Sequence, residues 1–186
     1  MGRGSIGDVP ELRGKTFVVT GGNSGIGLET VRGLAARGAH VVLACRDVAK
    51  GSAAVETLGT SPDEVAISEL DLADLASVRA CAARLRHELP HLDGLINNAG
   101  VMMTPLARTV DGFELQFGTN VLGHFVLVGE VLPLLDAAPA GRWSASAAWC
   151  NCAGVFRWIT STRRSDTLHL APMHRASWRH LCSHRY

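Results

Sequence analysis

Along residues 15–135 short apolar runs alternate with stretches whose apolar positions recur every three or four residues. Residues 15–20 (KTFVVT) form a β-branched run between Gly14 and Gly21, the pattern of a buried strand. The segment GGNSGIG, residues 21–27, follows directly. Residues 28–37 then predict a helix with Val31, Leu34 and Ala35 inward, stopped by Gly38. Residues 39–45 (AHVVLAC) predict a second buried strand, 47–58 a helix, and 65–70 a third strand that delivers Asp71. Residues 73–89 carry Leu75, Val78, Cys81, Ala82 and Leu85 at helical spacing, and 92–96 predict a fourth strand running into Asn97-Asn98-Ala99-Gly100. After a loop through Pro105, residues 111–135 predict a long helix whose apolar positions nearly encircle it. Strands alternating with helices point to an α/β fold, a doubly wound parallel sheet covered on both faces.

Composition fits this picture, with 47% apolar and 19% charged residues in a chain of 186, enough for one domain. No run approaches the roughly 18–20 consecutive apolar residues of a membrane helix, so no membrane segment is expected. Residues 1–15 lack an apolar stretch of the secretory kind, so a cytoplasmic location with reduced thiols is expected. Charge divides the chain. Residues 1–141 hold eleven Lys or Arg against sixteen Asp or Glu, a net of −5; residues 142–186 hold seven Arg against Asp166, a net of +6. All four Trp and three of the five Cys also lie after Gly141. The sequence therefore predicts a nucleotide-binding domain over 1–141 and a tail of different character over 142–186.

The glycine segment carries the first chemistry. A pyrophosphate needs hydrogen-bond donors at close range, and a strand–turn–helix unit supplies them as unpaired N–H groups at a helix N-terminus. Gly21, Gly25 and Gly27 stand where a Cβ would block the turn or the approach of phosphates, and Asn23 and Ser24 can add side-chain bonds. The spacing is G-x-x-x-G-x-G. With Thr20 before it and Ile26 within it, TGGNSGIG resembles the signature of the short-chain dehydrogenase/reductase family. ACRD (residues 44–47), DL (71–72), NNAG (97–100) and TNVLGHF (119–125) agree with that family in order and spacing, and the retinol-dehydrogenase-like branch is the nearest in flavour. The resemblance covers residues 11–141 and implies a Rossmann-type sheet that is incomplete at its C-terminal side.

The same resemblance implies roles residue by residue. Gly21, Asn23, Ser24, Gly25, Ile26 and Gly27 would wrap the pyrophosphate, and Asp71 and Leu72 would meet the adenine. Asn98, Ala99 and Gly100 would lie under the nicotinamide-side ribose, and Asn120 matches a catalytic Asn. From the residues themselves, Asp71 could instead cap the following helix and Asn98 could brace the central strands. Arg46 at the end of the second strand favours NADP(H) over NAD(H), since an Arg accommodates a 2′-phosphate where a carboxylate would bond the ribose hydroxyl. The expected substrate is a small-molecule alcohol or carbonyl, with no nucleic acid. A homo-oligomer stays open, because family dimers pack the helix matching 111–135.

Reducing a carbonyl needs a proton donor beside the developing alkoxide. The family supplies it from a Ser and a Tyr-x-x-x-Lys motif. Here the sole tyrosine is Tyr186, the lysines are Lys15 and Lys50, and Ser144 and Ser146 lie in RWSASAAW, which does not read as a buried strand. Cys150, Cys152, His169, His174, His180, Cys182 and His184 have ligand chemistry, but their spacing fits no common zinc framework. Arg interleaved with Trp could suit nucleic acid, but no periodic stripe gathers them. A shifted reading frame accounts for the segment better. From Arg142, codons formed across residue boundaries can read R-V-V-S-V-S-S-L-V, a strand with a serine, and residues 161–181 can then yield Y-A-Q-S-K. Two functions follow: an NADP(H)-dependent oxidoreductase whose present copy is inactive, or a non-catalytic NADP(H)-binding or regulatory protein with a divergent tail.

Overall fold

The computed structural model describes residues 10–61, 63–145 and 159–162. Six strands form one sheet: β1 (Thr16–Thr20), β2 (His40–Cys45), β3 (Val65–Glu69), β4 (Gly94–Asn97), β5 (Arg142–Ala145) and β6 (Ile159–Thr162). Their order is β3-β2-β1-β4-β5-β6, parallel through β5, with β6 antiparallel to it. Helices α1 (Gly25–Ala35), α2 (Val48–Leu58) and α3 (Leu75–Glu88) follow the first three strands, and α4 (Leu115–Ala137) precedes β5. The expected α/β doubly wound parallel sheet is present.

Strand alternation divides the core into two layers. Val18, Val42 and Leu95 point to one face, where Val78, Cys81, Ala82 and Leu85 of α3 and Leu127, Val131, Leu134 and Leu135 of α4 cover them. Val19, Val41 and Leu43 point to the other and pack on Val31 and Ala35 of α1. The side-chain period of two in a strand produces this split. Each fully buried Val or Leu contributes about 1.5–3 kcal/mol, so both layers are needed. At the amino end of the sheet, Asp93 accepts hydrogen bonds from Lys15 Nζ (2.9 Å) and the Thr16 N–H (2.9 Å), tying β1 to β4.

Two expectations are revised. The long helix begins at Leu115 rather than residue 111: Gly112 turns with φ +85°, and the Glu114 carboxylate caps the N–H groups of Gln116 and Phe117. Within α4, Gly118–Gly123 winds as a π-helix. The segment after Gly141 does form a strand, since β5 pairs with β4 in the register Leu95↔Trp143 and Ile96↔Ser144. Pairing uses backbone groups, which any extended segment offers to an open strand edge. Its side chains contribute less, with Trp143 and Ser144 half-buried rather than enclosed. No membrane segment was expected, yet α4 has the length and apolar composition of one. Its buried leucines and valines belong to the sheet core.

Candidate functional site

A cleft of about 460 Å³ opens where β1, β2, β3 and β4 end. This is the carboxyl edge of a parallel sheet at the point where strand order reverses between β1 and β4, the usual ligand position in such folds. Gly21, Asn23, Ser24, Ile26 and Gly27 line it from the glycine loop, Arg46 from the end of β2, and Asp71 and Leu72 from beyond β3. Asn98, Ala99 and Gly100 line it after β4. Gly25 lies within the same loop without lining the cleft, and Asn120 stands behind it, next to the lining residue Thr119.

Local stereochemistry builds the loop. Gly21 has φ +64°, and a Cβ there would come within 2.9 Å of Ala99 Cα. At Gly27 a Cβ would collide with the Gly21 carbonyl and the Asn98 amide, so α1 can cross the end of β1 only with glycine at this place. Ser24, the N-cap of α1, is extended and makes no side-chain capping bond. The first-turn N–H groups of α1, which have no intrahelical partner, therefore receive no cap from Ser24. Ile26 is 63% exposed, a large apolar side chain against the opening.

Two ambiguities in the sequence are settled by contacts. Asp71 Oδ1 accepts from the Ala73 N–H (2.9 Å), but the cap of α3 is Asp74, which accepts from the Ala76 and Ser77 N–H groups. Asp71 is thus a cleft residue and not the helix cap. Asn98 does brace the strands: its Nδ2 donates to the carbonyls of Thr20 (3.0 Å) and Gly21 (3.3 Å). The brace itself forms part of the cleft wall.

Charge at the far end is unequally committed. The Asp47 carboxylate caps α2 by accepting from the Lys50 N–H (3.0 Å), and Lys50 Nζ lies 3.5 Å from its other oxygen. That backbone bond and the Lys50 ammonium hold the Asp47 carboxyl below its usual range. Arg46 is exposed, and among the described residues nothing engages its guanidinium. Beside it, burial and the Asp47 charge push the Cys45 thiol upward, keeping it protonated.

Asn120 occupies the π segment, a distortion that recurs at functional sites. Both polar atoms of its side chain are spent on one residue: Oδ1 accepts from the Val101 N–H and Nδ2 donates to the Val101 carbonyl, each at 2.8 Å. These two bonds tie the chain just beyond Gly100 to the π segment. Sequence reading missed Thr20, Thr119 and His124. Thr20 Oγ1 accepts from the N–H groups of Asn98 (2.9 Å) and Ala99 (3.0 Å) and lies 3.0 Å from His124 Nε2. Among the described residues the buried Thr119 hydroxyl has no hydrogen-bond partner, and it lies at the edge of the cleft, an orphan that suits a polar ligand. His124 is 7% exposed; burial pushes its imidazole below the ordinary histidine range against the opposing Asn120 carbonyl. The signal for it was a histidine inside the apolar run TNVLGHF.

Uncapped N–H donors, an uncommitted guanidinium, a carboxylate and an orphan hydroxyl around one elongated space fit a phosphorylated dinucleotide. Among the described residues no group of three His, Cys, Asp or Glu could hold a metal ion. Ser146, the tail cysteines and histidines, and Tyr186 lie outside the described residues.

Comparison with known proteins agrees with this geometry. The family model for short chain dehydrogenase matches residues 15–143. Mouse retinol dehydrogenase 12 is 50% identical over 133 residues, covering 70% of this chain and 42% of the relative. A crystal structure of an uncharacterised Mycobacterium paratuberculosis protein is 49% identical, with a TM-score of 0.63, covering 70% of this chain and 46% of that one. A short-chain dehydrogenase from Escherichia coli complexed with NADPH is 28% identical with a TM-score of 0.59, covering 72% and 58%. The chain spans less than half the length of the retinol dehydrogenase it matches.

Proposed function

The chain belongs to the short-chain dehydrogenase family of oxidoreductases, and from that premise we propose that its cleft binds NADP(H) in preference to NAD(H). When bound, the cofactor supplies hydride exchange between its nicotinamide ring and an alcohol or carbonyl carbon. The residues divide the work of holding it. First-turn N–H groups of α1 and the side chains of Asn23 and Ser24 take the pyrophosphate, with Gly25 giving it room. Asp71 and Leu72, which line the cleft beyond β3, would meet the adenine. Asn98, Ala99 and Gly100 support the nicotinamide-side ribose, while Asn120 fixes Val101 beyond them.

One observation carries the cofactor preference. Asp47, the carboxylate that could bond a ribose 2′-hydroxyl, is committed to capping α2, whereas Arg46 beside it is uncommitted. The NADPH-bound relative supports the same reading. Arg46→Ala is expected to weaken NADPH binding about 10–100-fold, the loss of a charge-assisted bond of roughly 1.5–3 kcal/mol, while NADH affinity barely changes. Equal loss of both cofactors in a fluorescence titration would refute it.

The substrate class is an apolar alcohol or carbonyl. The relatives' names support this, as do Met102, Met103 and Leu106, exposed just past the cleft residue Val101. The chain itself binds cofactor without turnover, since the family's Tyr-x-x-x-Lys proton donor has no counterpart in the sequence. NADPH oxidation by the purified chain with a panel of aldehydes and ketones would overturn that. The same chemistry fits a non-catalytic NADP(H)-binding protein with a genuine divergent tail, which saturable binding without oxidation would favour only together with an independently confirmed, uninterrupted frame across codons 140–145.

A further inference from the structure

Resting on the reading of the cleft as a cofactor site, we propose that His124, carrying its proton on Nδ1, is a positioning residue. It aims the Thr20 hydroxyl and so holds the Asn98–Ala99 turn against the glycine loop. The hydrogen-bond count at Thr20 carries this. Its Oγ1 already accepts from two backbone N–H groups, those of Asn98 at 2.9 Å and Ala99 at 3.0 Å. A hydroxyl has two acceptor lone pairs and one proton, so the proton must leave in a third direction. Two acceptors are within reach: His124 Nε2 at 3.0 Å and the Ile96 carbonyl at 3.5 Å. The carbonyl stands at the outer limit of a hydrogen bond, so the ring nitrogen takes the proton.

The other ring nitrogen fixes the tautomer. His124 Nδ1 lies 3.1 Å from the Asn120 carbonyl, which only accepts. Nδ1 therefore donates, and Nε2 holds the lone pair that Thr20 needs. The result is a directed chain from Thr20 O–H to His124 Nε2, and from His124 Nδ1–H to the Asn120 carbonyl. Asn120 in turn clamps Val101. One buried ring thus joins the end of β1, the turn after β4 and the π segment of α4. Burial keeps the imidazole neutral. A second ring proton would face a hydroxyl with no acceptor capacity left, and one of the two turn bonds would be lost.

A space-filling role and a positioning role predict different variants. Phe fills the volume with no acceptor; Gln keeps a neutral oxygen that can accept from Thr20. Full-length wild type, His124→Gln, His124→Phe and Thr20→Val are compared by amide hydrogen exchange and by NADPH titration. The Ala99 amide is the reporter, because the Asn98 N–H is shared with the Ile96 carbonyl; Val18 and Leu43 amides report global folding. In His124→Phe the Ala99 amide is expected to exchange about tenfold faster and NADPH to bind about tenfold more weakly, with Val18 and Leu43 unchanged. His124→Gln stays within about threefold of wild type, and adding His124→Phe to Thr20→Val costs little more. Ala99 equally protected in the Phe variant, or loss as large in the Gln variant, would overturn the proposal. Long-range proton–nitrogen NMR of the wild type needs no variant: a proton on Nε2 instead of Nδ1 also overturns it. Should wild type bind no NADPH, the cofactor reading fails, while the exchange pattern and tautomer still decide the role of His124.

Discussion

Asp93 joins the two central strands through one carboxylate, and its titration can be followed. Burial alone would raise this carboxyl. The bond from Lys15, the Thr16 N–H, and the Lys15 and His91 charges outweigh burial and hold it below the usual range. A carboxyl with a depressed folded-state pKa contributes stability above its unfolded value of about 3.9 and loses it as pH falls through the folded value. The advantage of wild type over Asp93→Asn in urea midpoint is therefore full at neutral pH and shrinks below about pH 4. A constant gap between pH 7 and 3 contradicts the linkage. At this scale the glycine loop was legible, because each glycine answers a local constraint on φ or approach. Thr20 and His124 were not, because the bond between them joins residues 104 apart in sequence.

The most consequential element is α4, where apolar positions nearly all round concealed both the winding and the exposure of one face, since Phe125 and Leu132 lie outside the core that Leu127, Val131 and Leu135 join. The shift to π geometry at Gly118–Gly123 depends on tertiary contacts, so no spacing rule finds it. Asn120 exchanges two hydrogen bonds with Val101 from within that segment. Asn120→Ala is expected to leave a part-buried backbone pair without its partner at a cost of about 1 kcal/mol, seen as a lower urea midpoint and faster exchange of the Val101 amide. An unchanged Val101 amide would show that the clamp is not needed. The start of α4 was misjudged for a local reason: Gly112 and the Glu114 cap interrupt a pattern that apolar spacing alone would extend. β5 was misjudged for another, since strand pairing draws on backbone groups that polar residues such as Arg142 and Ser144 also possess.

Over the whole molecule, sheet order and cleft follow from alternating strands and helices. The family match ends at residue 143, beside the change of charge after Gly141. This supports the proposal that residues 142–186 are read out of frame; an independently confirmed, uninterrupted frame across codons 140–145 contradicts it. The nucleotide-binding proposal does not depend on that outcome, because every residue assigned to the cofactor lies before Gly141. The most direct test is a titration of the full chain with NADPH, following nicotinamide fluorescence, beside Gly25→Val. Gly25 has φ +52° at the first position of α1, so a β-branched residue strains the turn whose N–H groups are assigned to the pyrophosphate. Saturable enhancement in wild type, lost in Gly25→Val with the fold intact, is the predicted result. A folded wild type that does not saturate, or a variant that binds equally well, contradicts it.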